Sequence, residues 1–315
     1  MDLRTASLAD LNNRFAIPFK LRFKALGDDL NGLVTADISN AHATASICLQ
    51  GGQVLSWQPT STAEPVIWLS TAATFAPQTS IRGGIPVCWP WFSAHSVDAS
   101  LPTHGFARTQ PWQVKGSRSL DNGSTEIRLT MPITTAMQAM WPHQAQLDML
   151  INVGATLKIA LITRNLGASD FAITEALHTY FAVSDITQVN QVQVEGLDGI
   201  HFHDKAAGWT EGDQAGAISF AAEVDRVYVD TPERCMIVDP AWQRRIHIAK
   251  LGSQSTVVWN PWAARAAQMG DLGTDDSNGW KRFVCVESAN ARENAVTVPA
   301  GKSHTMAVEY RVEAL

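Results

Sequence analysis

The sequence predicts an all-β fold, a sandwich of large antiparallel sheets with few, short helices. Three observations carry this expectation. Short runs rich in β-branched and aromatic residues recur along the chain, many alternating apolar and polar positions as half-buried strands do. Turn signals such as Gly51-Gly52, Asp121-Asn122-Gly123 and Pro299-Ala300-Gly301 separate the runs. Helical periodicity is scarce, and many strands with few helices is the pattern of packed antiparallel sheets.

Taken in order, the predicted strands are Thr44–Leu49, Gln53–Gln58, Val66–Leu69, Glu126–Met131, Thr156–Asn165, Ala172–Phe181 and Gln191–Val194 in the first two thirds of the chain. Arg226–Val229, Cys235–Val238, Arg245–Ala249, Thr256–Trp259, Phe283–Glu287, Ala295–Val298 and Thr305–Val312 follow. The pattern is plain in TLKIALITRN: Leu157, Ile159, Leu161 and Thr163 point one way, and Lys158, Ala160, Ile162 and Arg164 the other. Two helices are expected. One covers Ser7–Phe15. The other runs from Pro261 to Leu272, with Asn260 as N-cap and Pro261 at the first helical position.

The chain has 315 residues, 45% hydrophobic and 17% charged, enough to bury a sizeable core. No linker, low-complexity tract or repeat divides it, so residues 1–315 read as one domain. Net charge is −6 and no run of Lys or Arg occurs, which argues against nucleic acid or an anionic membrane as partner. A small anionic substrate remains compatible, given a few placed arginines. The four cysteines, Cys48, Cys88, Cys235 and Cys285, form no CxxC pair and sit among apolar neighbours, as buried thiols in a reducing compartment do. No stretch is long and apolar enough to span a bilayer, and the first fifteen residues lack the apolar core of a signal peptide. The expectation is a cytoplasmic protein. Nothing signals a coiled coil or a sticky edge, so a monomer is expected.

Three stretches carry candidate chemistry. Ser80 to Trp112 is dense in Gly, Pro and Trp and reads as a functional loop held by a rigid scaffold. Arg82 precedes Gly83-Gly84, where backbone can approach a ligand closely, and Arg108 ends HGFAR. Two guanidinium forks suit an anion such as phosphate. Structural ion pairs are the competing reading. Trp89, Trp91 and Trp112 are candidates for packing against a sugar face or for the core. In ITEALHTYFAVSD, Glu175, Leu177 and Thr179 share one face of a strand, and His178 shares the other with Ala176 and Tyr180. A histidine titrates near neutrality and can move a proton there, although one flanked by apolar residues is commonly structural. In RFVCVESAN, Glu287 closes the apolar strand Phe283 to Val286. Partial burial raises a carboxyl pKa and makes a better general base, and a capped carboxylate at a strand end is the alternative.

Two further fragments stand out. VEGLDGIHFHDK offers His201, His203 and Asp204, with both imidazoles on one face of a strand. A metal site is discounted, because no further nearby Cys, His or Glu completes a ligand set and the run reads equally as an exposed hairpin. EVDRVYVD places Asp225 just before a strand, where it can accept hydrogen bonds from sugar hydroxyls or cap a turn. Walker, GxGxxG, HExxH, GxSxG and CxxC motifs do not occur, which counts against nucleotide, zinc-protease and serine-hydrolase chemistry.

In order, SIRGGIPVCWPWF, LPTHGFARTQPW, EALHTYFAVSD, VEGLDGIHFHDK, EVDRVY, VVWNPW and FVCVESAN resemble the hexose-6-phosphate mutarotases, the glucose-6-phosphate 1-epimerases of the aldose 1-epimerase superfamily. The motifs extend from about Ser80 to Asn290, most of the chain. The resemblance implies the galactose mutarotase type of β-sandwich. It also implies a catalytic His at His178, a catalytic Glu at Glu287, and substrate-binding arginines at Arg82 and Arg108. A substrate-binding Asp falls on Asp225, and His104 matches a position that helps hold the sugar. Two departures stand out. The residue before HGFAR, often Gln or Ser in the family, is Thr103 here, which puts that substrate contact in doubt. Ser288-Ala289 follows Glu287 where many relatives have Pro-Gly or Pro-Ala, which bears on the local turn.

The implied reaction opens and recloses a cyclic hemiacetal. Glu287 takes the proton of the anomeric hydroxyl and His178 gives one to the ring oxygen. The aldehyde end then rotates, and the steps reverse. No redox cofactor or metal is called for, and the partner is a sugar phosphate. The rival readings are a non-catalytic carbohydrate-binding sandwich, a glycosidase or lyase, and a mutarotase for unphosphorylated sugars. A glycosidase needs two carboxylates flanking one bond, where one carboxylate and one histidine stand out here. The separation of Glu287 from His178 in the fold discriminates the first rival.

Overall fold

The computed structural model describes residues 7–26, 33–188, 192–272 and 279–315. Two eight-stranded antiparallel sheets form its body. The back sheet runs, in spatial order, Gln193–Glu195, Arg234–Asp239, Arg244–Leu251, Ser303–Ala314, Leu157–Asn165, Ala145–Val153, Thr125–Met131 and Gln113–Ser119. The front sheet runs Thr210–Asp213, His201–Asp204, Val224–Tyr228, Ser255–Asn260, Phe283–Asn290, Glu175–Leu177 and Val87–Cys88, with Tyr180–Ala182 also paired to Phe283–Asn290. A four-stranded sheet of Leu21–Ala25, Val34–Ser39, Ala43–Cys48 and Gln53–Pro59 and a two-stranded one of Phe171–Ile173 and Val296–Val298 complete the fold. The all-β expectation holds.

Period-two patterning explains how the sheets meet. Leu157, Ile159, Leu161 and Thr163 are buried while the residues between them are not, the division the sequence predicts. Ala145–Val153 alternates at every position. The back sheet thus turns one apolar face to the front sheet. Thr179 Oγ1 lies 2.7 Å from Tyr310 Oη and Phe181 meets the Tyr310 ring edge-on, ties that run directly between the two sheets. The His304 imidazole also reaches the buried Glu175 carboxylate at 2.8 Å. All four cysteines are buried and free. Among the described residues, no helix is long and apolar enough to cross a membrane.

Several local expectations differ. The helix expected from Pro261 to Leu272 is the short Trp262–Ala266, capped at Pro261. Only Ala266 of it is buried, so no apolar stripe extends it. Asn260 remains the last residue of a strand; its amide donates to the carbonyls of Trp280 and Phe283, and its oxygen accepts from the Trp262 amide. Ser7 does cap Leu8–Phe15, accepting from the Asp10 amide. Val66–Leu69 makes only isolated bridges, from Ile67 to Phe181 and from Leu69 to Gly83. Of the expected Gln191–Val194, Gln191 lies outside the described residues and the strand is Gln193–Glu195. The expected Ala172–Phe181 is broken into three pieces serving two sheets, and the second break falls at His178.

Candidate functional site

The central strand of the front sheet, Phe283–Asn290, is buried at all eight positions. Glu287 is therefore a mid-strand residue, not the closing residue of a shorter strand, and it is 1% exposed. Leu177 pairs with Ser288 and Tyr180 with Cys285. The two flanking pieces keep one register, so the position opposite Glu287 is His178. His178 Nε2 lies 3.2 Å from Glu287 Oε1. The break in pairing lets the His178 amide turn to the Pro86 carbonyl, while Thr179 is held from behind by Tyr310. His178 stacks on Tyr180, with ring centroids 5.0 Å apart, and meets the edges of His104 and Trp259. Nδ1 of His178 and Oε2 of Glu287 are both buried without a hydrogen-bond partner among the described residues. A buried polar atom left unpaired within the chain is costly unless water or a ligand meets it.

The pair forms the floor of a cleft of about 530 Å³. The seven residues that the resemblance assigns to catalysis or substrate binding all line it: Arg82, Thr103, His104, Arg108, His178, Asp225 and Glu287. Asp225 lies within Val224–Tyr228 rather than before it, opposite Trp259, with its carboxylate 3.4 Å from Lys205 Nζ. Arg108 donates through Nη2 to the Thr103 carbonyl. Thr103 itself is exposed at the rim, offering its carbonyl rather than a buried side chain. His104 has φ 66°, and the amide of Ser93 donates to its Nδ1, so the ring is fixed against the loop. Gly105 is required there: a Cβ would lie 2.1 Å from the Trp89 carbonyl oxygen.

Arg82 is engaged within the protein. Its Nε donates to Asp271 Oδ2 at 2.9 Å and its Nη1 to Tyr180 Oη at 2.8 Å. The structural ion pair weighed from the sequence is thus present at Arg82, beside the cleft. Gly83 and Gly84 answer to the chain itself and not to a ligand. A Cβ on Gly83 would lie 2.7 Å from Leu69 Cα, and one on Gly84 would lie 2.5 Å from the Val54 carbonyl oxygen. Trp89, Trp91 and Trp112 are all core residues, 7% exposed at most. The aromatic rings at the cleft are Trp209, Trp259 and Phe92.

Burial sets the electrostatics. It pushes the Glu287 carboxyl well above the usual carboxylate range, with the nearby Asp225 charge adding to the shift. Burial pulls His178 down to about 3, and the Arg108 and Arg82 guanidiniums add to that. His104 is lowered for the same reasons, burial first and then His178. Asp225 is raised by burial against the opposing pull of Lys205. The cleft holds four cationic side chains, Arg82, Arg108, Lys205 and Arg265, against the three carboxylates Glu223, Asp225 and Glu287. Asp271 neutralises Arg82 and Asp225 faces Lys205, which leaves Arg108 and Arg265 as cations without a carboxylate in ion-pair contact among the described residues.

Sequence reasoning gave no role to Lys205, Trp209, Tyr180, Trp259, Glu223 or Arg265. Lys205 lies in the turn just after His201–Asp204, and Arg265 and Glu223 also reach the cleft only through tertiary packing. Around His201 and His203 the fold adds groups that the local sequence does not show. Thr210–Asp213 folds back on His201–Asp204 and sets Glu211 opposite His203 and Asp213 opposite His201.

A family model described as aldose 1-epimerase matches residues 35–311. A protein of Salmonella typhimurium, named "Putative glucose-6-phosphate 1-epimerase", is 38% identical over 268 residues, 84% of each chain. A protein of Escherichia coli K12 with the same name is 37% identical over 280 residues, 88% of this chain and 89% of that one. The crystal structure of a mutarotase-named protein, YeaD, from Salmonella typhimurium superposes with a TM-score of 0.85 at 34% identity, covering 96% of both chains. A galactose mutarotase-like protein of Clostridium acetobutylicum shares the fold, with a TM-score of 0.66 at 13% identity.

Proposed function

The chain belongs to the aldose 1-epimerase family, and from that premise we propose that it interconverts the α and β anomers of a hexose 6-phosphate, with Glu287 and His178 as its acid–base pair. The observation that carries this reading is the buried pair itself, an imidazole 3.2 Å from a carboxylate at the floor of a cleft that Arg108 also lines.

Anomer exchange needs a base at the anomeric hydroxyl and an acid at the ring oxygen. At neutral pH the pair holds one transferable proton. As imidazolium and carboxylate it supplies both functions: Glu287 takes the proton from O1, the C1–O5 bond breaks, and His178 protonates O5. The aldehyde turns about the C1–C2 bond and recloses with the transfers reversed, so no proton is gained or lost in the cycle. While the ring is open the pair is carboxylic acid and neutral imidazole. Burial favours that neutral form, so the same desolvation that perturbs both groups stabilises the open-chain half of the cycle. Each proton transfer of this kind contributes about 10²–10⁴-fold.

Arg108, with Arg82 behind it, supplies charge for the 6-phosphate, and Asp225 and His104 orient hydroxyls. Arg108 has the freer part. Its described side-chain hydrogen bond goes to one carbonyl, whereas Arg82 already serves Asp271 and Tyr180. Turnover of glucose 6-phosphate against glucose tests the specificity. A kcat/KM at least about tenfold higher for the phosphate, as one charge-assisted contact would give, supports the reading. Equal values would leave a mutarotase without a phosphate site.

A further inference from the structure

The front sheet carries a second cluster of titratable side chains, in line with the first. Across the strands, Glu287 stands opposite Val257, Val257 opposite Val227, Val227 opposite His203, and His203 opposite Glu211. At roughly 4.8 Å per strand, His203 is about 14 Å from Glu287. The valines separate the two clusters, and the second belongs to the sheet edge.

Its geometry is ordered around Glu211. His203 Nδ1 lies 3.4 Å from Glu211 Oε1, and His201 Nε2 lies 3.8 Å from Glu211 Oε2. The other nitrogen of each ring faces a carboxylate of its own: His201 Nδ1 is 2.9 Å from Asp213, and His203 Nε2 is 3.3 Å from Glu293. A carboxylate on the far nitrogen fixes the proton there and directs the opposite lone pair inward, the arrangement that supports metal-bound histidines. His203 is 5% exposed, and its inward Nδ1 has no hydrogen-bond partner among the described residues. Bonds of about 2.0–2.1 Å in a tetrahedron place neighbouring ligand atoms about 3.3 Å apart. The 3.4 Å contact already matches this. Glu211 is largely exposed, free to turn and close the 3.8 Å one.

We propose that His201, His203 and Glu211 form a binding site for a divalent transition metal of the zinc type, with Asp213 and Glu293 as supporting partners. Two imidazoles and a carboxylate are a borderline-soft ligand set, suited to zinc rather than calcium or magnesium, and three protein ligands leave a position open. The metal would clasp the hairpin His201–Asp204 and Thr210–Asp213, whose connecting loop places Lys205 and Trp209 in the substrate cleft. The site therefore couples metal binding to the wall of the cleft, and it stands whether or not the sugar carries a phosphate.

Calorimetric titration of chelator-treated full-length protein with zinc sulfate tests the proposal. One zinc per chain is expected. The double variant H201Q/E211Q, whose side chains are both exposed enough to leave folding intact, should lose at least about 100-fold in affinity. Glu293→Gln alone should lose about 10–100-fold. Glu287→Gln should bind zinc as the wild type does. Absence of stoichiometric uptake would leave the cluster as ion pairs and overturn the proposal. So would uptake that survives the double variant, or uptake lost in Glu287→Gln, which would place the metal at the other cluster.

Discussion

Replacing Glu287 by Gln isolates the chemistry from everything else in the cleft. The side chain is 1% exposed and mid-strand, so a substitution must keep its volume, and Gln does. Burial already drives Glu287 toward its uncharged form, which Gln imitates. The sign for stability follows. A carboxyl whose folded pKa is raised contributes stability that is complete below its unfolded pKa and is lost as pH rises toward the folded one. The Gln variant lacks that loss, so at pH 7 its Tm should equal or exceed that of the wild type. Catalysis should respond differently. Without the carboxylate no base reaches O1, and the loss of one general-base step is about 10²–10⁴-fold, or about 3–5 kcal/mol of barrier. The arginines are untouched, so the Kd for glucose 6-phosphate should stay within about twofold. Anomer exchange measured by NMR at near-neutral pH, corrected for the spontaneous rate, gives kcat. A variant that folds, binds and keeps kcat within tenfold of wild type would refute the role assigned to Glu287.

Other outcomes follow from the same geometry. The working pair must hold one proton. It gains a second only as His178, lowered to about 3, is protonated, and loses its first only above the raised pKa of Glu287; kcat should therefore be flat through neutrality, and a limb near 6.5, as of a free imidazole, would contradict the burial argument. Arg108→Ala should lower kcat/KM for glucose 6-phosphate by roughly 10–150-fold, the value of a charge-assisted hydrogen bond of about 1.5–3 kcal/mol, with little change for glucose; equal losses on both sugars would remove Arg108 from the phosphate. Tyr310→Phe deletes the 2.7 Å contact to Thr179 behind His178. It should cost about 1 kcal/mol in denaturant unfolding and lower kcat with KM unchanged, as a positioning residue does, whereas a change in stability alone would mark the tyrosine as purely structural.

The fold was legible where period two ran long. Leu157–Asn165 alternates along its whole length and Ser303–Ala314 from Met306 to Tyr310, and burial follows the alternation in both. Leu21–Ala25 and Val34–Ser39 also alternate apolar and polar residues, but over only five or six positions, too short a run to stand out, and Gln113–Ser119 carries no alternation because its residues are mostly small, polar or charged. Ala145–Val153 is different: its alternation is complete and was readable. The cleft was legible residue by residue through its motifs, and all seven candidates line it. Their relations were not. That His178 opposes Glu287 depends on a strand broken at 178–179 that keeps its register on both sides, and no local pattern encodes this. The Gly83-Gly84 pair misled for a similar reason. A glycine announces a close approach but not the partner, which here is the backbone of residues 54 and 68–70. The grouping of Glu211 with His203 was not legible because the two are adjacent only across a hairpin.

The central claim is that this cleft exchanges the anomers of a phosphorylated sugar. Exchange NMR on α- and β-glucose 6-phosphate, with glucose and galactose as phosphate-free controls, measures it directly. The protein should speed exchange of glucose 6-phosphate far beyond the spontaneous rate and do much less for the free sugars. Unchanged exchange for every sugar, with glucose 6-phosphate nonetheless bound, would make the cleft a binding site and contradict the account.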